Sequence, residues 1–184
     1  MHISDAQWEM RSRFVGGFYG QLVSGVLWLI TAMLATWSTP RLAITTLVVG
    51  GFFIFPFTEL LLRLAGERKS LSADNTLRQL GMQAAFVLPL SMPLLVAVGR
   101  YRLTWFFPAF AILVGAHYLP FVFLYGMRMF GVLAAILVTG GFLIARSLPG
   151  SFNAGAWFAG AVLVVFAVIG RAIVRREQRS VPAA

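Results

Sequence analysis

The 184 residues include no cysteine, one lysine, two histidines and six acidic residues. Without cysteine there is no disulfide, no thiol nucleophile and no cysteine-ligated metal. Charged residues make up 11% of the chain, less than half of the roughly 25% with which soluble domains solvate their surfaces. With 59% hydrophobic residues and a mean hydropathy of +0.84, it is neither an ordinary soluble globule nor a disordered chain. An integral membrane protein is left.

The scarce polar chemistry excludes more. Of Asp5, Glu9, Glu59, Glu67, Asp74 and Glu177, only Glu59 falls inside an apolar stretch, so no carboxylate pair is available for intramembrane acid–base work. His2 and His117 are too few for a multi-histidine zinc site or an H-E-x-x-H motif. A haem would need a histidine from each of two copies. Serine–histidine catalysis would rest on His117 with no orienting acid in view. No catalytic residue and no metal site is assigned, the cofactor is left open, and an enzyme is disfavoured.

What is present is apolar length. Six stretches, residues 14–37, 42–65, 77–98, 104–127, 129–145 and 152–174, each approach or exceed the ~20 residues that cross a ~30 Å hydrocarbon core. Such runs, too long and without period-two alternation, argue against the strands of a β-barrel. Short joins, among them Ser38-Thr39-Pro40-Arg41 and the Pro149-Gly150 turn, force neighbouring spans antiparallel. The expected fold is all-α, a single domain of six transmembrane helices in an up-and-down bundle. Arg11, Ser12 and Arg13 before the first span resemble a signal-peptide start. The apolar run is too long and lacks a small-residue cleavage site, so a retained helix is expected.

Basic residues orient the bundle. With the N-terminus inside, 11 of the 15 lie on cytoplasmic segments and four (Arg41, Arg100, Arg102 and Arg146) on outer joins, which places both termini in the cytoplasm. Trp37, Trp105 and Trp157 fall at outer ends, as an aromatic belt would have them. The net charge of +9 is then a topology signal resting against anionic lipid headgroups, and no nucleic-acid partner is needed to account for it. Nothing explains why 14 of the 15 basic residues are arginine.

Local patterns add detail. Ser4 to Gln7 fits a capping box, Ile3 and Trp8 a hydrophobic staple, and Glu9 and Arg13 an i, i+4 pair on a helix continuing into the first span. Gly51 to Phe57 and Gly115 to Phe121 both read G-x-x-x-x-P-F, and Gln21 and Gln83 repeat at nearly the same offset. Hairpins 1-2 and 3-4 are therefore candidates for an internal repeat, with coincidence in an apolar alphabet as the alternative. Pro56, Pro89, Pro93 and Pro120 are expected to kink spans two, three and four. Small residues at spacing four (Gly16, Gly20 and Ser24; Gly131, Ala135 and Thr139; Ala156 and Gly160) mark close helix packing, within the chain or between copies in a homo-oligomer.

The informative polar residues lie within spans, where an ionisable group costs roughly 2.5–3.5 kcal/mol at the bilayer centre. Gln21, Glu59, Gln83, His117, Tyr125 and Arg128 all fall in the cytoplasmic half, on four different spans. They are expected to line a cavity open to the cytoplasm and closed outside by apolar packing. Each has a plainer use. Glu59 could pair with Arg63 or Arg128, His117 could be an interior hydrogen-bonded ring, the glutamines could join helices, and Arg128 could snorkel to headgroups.

Asp5 to Arg11, Gly20 to Gly25, Gly51 to Arg63 and Trp105 to Arg128 resemble a bacterial family of small multispanning inner-membrane proteins, a domain of unknown function. The resemblance implies a bacterial inner membrane and no reaction. Two functions stay open. One is a small transporter or channel-like protein for a proton or small polar solute, a small-molecule or ion ligand. The other is a non-catalytic scaffold or complex subunit whose buried polar residues only specify packing. A lipid-modifying or quinone-binding enzyme is a third, weaker reading.

Overall fold

In lipid every backbone N–H and C=O must find its partner inside the protein, so long apolar runs fold as helices. The computed structural model describes residues 1–180, and among them there is no strand. Nine α-helices follow in order: α1 (Ile3–Arg13), α2 (Phe18–Trp37), α3 (Pro40–Gly51), α4 (Ile54–Leu64), α5 (Leu77–Leu90), α6 (Met92–Tyr101), α7 (Phe106–Tyr125), α8 (Met129–Ser147) and α9 (Ala154–Ser180). Among the described residues, five stretches are long and apolar enough to cross a membrane: Val15–Trp37, Leu77–Tyr101, Leu103–Tyr125, Met129–Ser147 and Ala154–Arg179. A sixth is available if α3 and α4, bent by 58°, count as one broken span. The helices mark a multi-pass membrane protein.

The centre of the bundle is α2, α7, α8 and α9, with α3 and α4 against α2 and with α5 and α6 against α7. Small residues let these backbones approach. A Cβ on Gly115 of α7 would stand 2.9 Å from the Ala134 carbonyl oxygen of α8, and one on Gly25 of α2 would stand 2.7 Å from Val164 of α9. Gly160 of α9 is similarly closed by Leu29, and Gly16 by Val174. Where α2 and α7 diverge, Trp28 fills the gap, edge-on to Phe107 and Phe110 at 6.1 and 5.2 Å. Ala135 and Thr139 instead stay exposed beside Phe158 in an open apolar groove.

The N-terminal expectations need correction. The helix does not continue from α1 into the first span, because Val15, Gly16 and Gly17 all take positive φ (51°, 61° and 79°) and turn the chain sharply. Two glycines make that turn cheap; the β-branched, buried Val15 makes it strained. The N-cap of α1 is His2 rather than Ser4, and no side chain caps it. The Gln7 amide, expected in a capping box, donates to the Phe123 carbonyl at 2.6 Å. That bond holds α1 across the end of α7.

The prolines act unevenly. Span two breaks at Phe52 and Phe53, ahead of Pro56, which sits in the first turn of α4 where a missing N–H costs nothing. Span three breaks at Ser91, between Pro89 and Pro93. In span four α7 runs unbroken through Pro120, so the two G-x-x-x-x-P-F copies have different backbones.

Candidate functional site

One end of the bundle gathers α1, the loop of residues 65–76, the 126–128 turn and the last turns of α9, and it carries almost all the ionic contacts. Arg13, 8% exposed, donates through Nη2 to both carboxylate oxygens of Glu59 at 2.8 Å. Arg68 approaches the same carboxylate at 3.7 Å from a more exposed position. Beside this pair the Tyr19 hydroxyl donates to Glu67 at 2.8 Å, and Arg171 reaches the other Glu67 oxygen at 3.4 Å while lying over the Phe18 ring. Arg11 and Glu177 meet at 3.5 Å.

Glu9 ties α1 to the 65–76 loop. Its carboxylate accepts from the Ser72 hydroxyl, from the Ser72 N–H at 2.8 Å and from the Asn75 amide at 2.6 Å. The Ser72 hydroxyl, the Asn75 amide and the Ser72 N–H together hold the Glu9 carboxyl below the ordinary carboxylate value, against the opposing effect of desolvation. Glu9 and Arg13 thus each take a tertiary partner and do not pair along α1.

The second polar group lies inside the bundle. Gly17, Gln21, Ser24, Trp28 and Thr31 follow at spacings of four, three, four and three, one stripe along α2. Two members of the stripe meet α7: a Cβ on Gly17 would touch Tyr125 at 3.4 Å, and Trp28 packs on Phe107 and Phe110. Between those two contacts α2 and α7 stand apart, and the backbone of α2 packs on α9, α3 and α4 instead. Gln21 is 2% exposed, and neither atom of its amide has a partner among the described residues. The buried Thr31 hydroxyl has none either. Tyr118 and Tyr125 are buried among aromatic rings, with Tyr118 stacked 5.9 Å from Phe130. A buried amide or hydroxyl left without a hydrogen bond costs about 1–3 kcal/mol, so this stripe is an expensive feature for packing alone.

The six expected residues do not share one surface. Gln21 is buried on α2, and Tyr125 is buried at the end of α7 beside Gly17. Glu59 is held on α4 by Arg13, not by Arg63 or Arg128, because the turn at residues 14–17 swings the end of α1 over α4. His117 is half-buried on α7 and its Nδ1 lies 2.8 Å from the Ala84 carbonyl, an interhelical bond in which that nitrogen carries the proton. Gln83 and Arg128 are exposed.

Several contributors escaped sequence reasoning. Arg13 looked like a topology charge, and Glu67 and Arg171 like loop and tail charges. Thr31 and Tyr118 went unselected, although the spacing 21, 24, 28, 31 was available to find the first. Groups of three or more side chains able to hold a metal are absent among the described residues.

No curated protein and no solved structure matches the chain. The sequence model described as "Family of unknown function (DUF7010)" matches residues 3–172, nearly the whole length, and the chain belongs to that family.

Proposed function

We propose that the chain is a small transporter-like or channel-like membrane protein in which a proton or small polar solute passes along the α2–α7 seam. Gln21, Ser24 and Thr31 of α2 and Tyr118 and Tyr125 of α7 supply the polar groups. The Arg13–Glu59 pair closes the end that carries α1. The basic residues support placing that end, with both termini, at the cytoplasmic face of a bacterial inner membrane. Glu59 and Arg128, at the end that carries α1, then shape the approach to the seam. Two spans interrupted near mid-length, beside α2 and α7, support the reading, because such interruptions accompany solute sites in transporters.

The observation that carries the proposal is the Gln21 amide, fully buried with both atoms unpartnered. The test is uptake into proteoliposomes of a panel of small neutral and ionic solutes, with proton flux followed by a pH-sensitive dye. Wild type is expected to move at least one of them, and Gln21→Leu to lose it while remaining folded. Equal flux in both proteins overturns the assignment.

A scaffold or subunit role is the second reading, favoured by the Arg13–Glu59 contact, which clamps α1 to α4 as a packing device would. Under it no solute moves, and Gln21→Leu only stabilises the fold.

A further inference from the structure

The span Leu77–Tyr101 is packed less than the other four continuous spans. Only 11% of its most apolar stretch is buried, against 33–44% for the other four single-helix spans. Its outward face is not uniformly greasy. Gln79, Gln83, Phe86 and Leu90 are all exposed, at spacings of four, three and four along α5. That is the spacing of a helix–helix seam. Gln83 is the seventh residue of the span, about 9 Å along its axis. Its amide has no hydrogen bond to any described residue, so in a bilayer it would face hydrocarbon with two donors and an acceptor unused.

We infer that this face is covered by a second copy of the chain, forming a two-fold dimer along α5. The occupant follows from the chemistry of the exposed group. A primary amide is its own complement, donor to acceptor and acceptor to donor, and in an isologous interface each residue on the axis meets itself. Two copies inserted with the same orientation share an axis normal to the membrane. Their α5 helices then run parallel, with Gln83 opposite Gln83 and Phe86 and Leu90 interdigitating above.

The chain has no cysteine, so single cysteines can be introduced with no background. In native membranes under mild oxidation, Gln83→Cys and Phe86→Cys are expected to give a disulfide-linked dimer. Val132→Cys, on the exposed face of α8, is expected to stay monomeric. Energy transfer between labelled copies in liposomes measures the association without a cross-link. Gln83→Leu should weaken it about tenfold, the effect of one interhelical hydrogen bond, and Gln83→Asn should restore most of it. A wild type that is monomeric at every protein-to-lipid ratio overturns the inference. So does cross-linking of Val132→Cys as efficient as that of Gln83→Cys.

Discussion

One nitrogen of Arg13 donates to both oxygens of Glu59, across 46 positions of sequence. The contact joins the last residue of α1 to the middle of α4 and leaves the second terminal nitrogen of Arg13 buried without a partner among the described residues. Breaking such a pair from either side strands a charge in a poorly solvated place, which costs about 3–5 kcal/mol where burial is deep. Glu59→Gln and Arg13→Met are each expected to lower the midpoint of thermal unfolding in detergent. The double variant should cost clearly less than the sum of the two. Arg63→Gln should leave the midpoint unchanged. Additive losses would mean that the two groups stabilise the fold independently.

Glu9 gives the fold a pH dependence of definite sign. Its folded pKa lies below the ordinary 4.5, so its contribution is fully present above that value and is lost as pH falls through the folded value. Thermal midpoints taken between pH 6 and 3 should therefore fall more steeply for wild type than for Glu9→Gln. Parallel curves would show that the Ser72 and Asn75 bonds do not favour the charged carboxylate.

The glycines in the packed centre should separate cleanly from those at its edge. A methyl group on Gly115 would press on the Ala134 carbonyl at 2.9 Å and on Val138 at 2.8 Å, whereas one on Gly51 meets nothing within 4 Å. Gly115→Ala is expected to cost about 1–3 kcal/mol, the range for overpacking a tight contact. Gly51→Ala should be neutral. Thermal unfolding in the same detergent checks both, and equal losses would place the tight α7–α8 approach elsewhere.

The spans were legible because lipid imposes one rule on every apolar run, and the boundaries read from residues 77–98 or 129–145 fall within three residues of the helices found. Gln21 was legible for the same reason: a polar side chain in such a run stands out. The partner of Glu59 was not. Arg63 is close along the chain and Arg128 close in depth, while Arg13 reaches Glu59 only because Val15, Gly16 and Gly17 reverse the backbone, and no propensity favours a left-handed valine. The capping box failed on a tertiary contact, since Gln7 gains an interhelical acceptor in Phe123. Pro56 is legible as a helix breaker, but its ring obstructs the preceding turn, so the break lies at Phe52 and Phe53.

The central claim, a polar path along the α2–α7 seam, is tested most directly by thiol accessibility on the cysteine-free chain. Single cysteines at Gln21, Ser24 and Thr31 would be treated in membranes with a small water-soluble methanethiosulfonate, with Leu137→Cys, fully buried in α8, as the unreactive reference. Water entering the seam should make Gln21→Cys and Ser24→Cys react at least tenfold faster than the reference, and more slowly when the Arg13–Glu59 end is the only side exposed to reagent. Reaction at the Leu137→Cys rate from both sides would contradict the path and leave the stripe as packing alone.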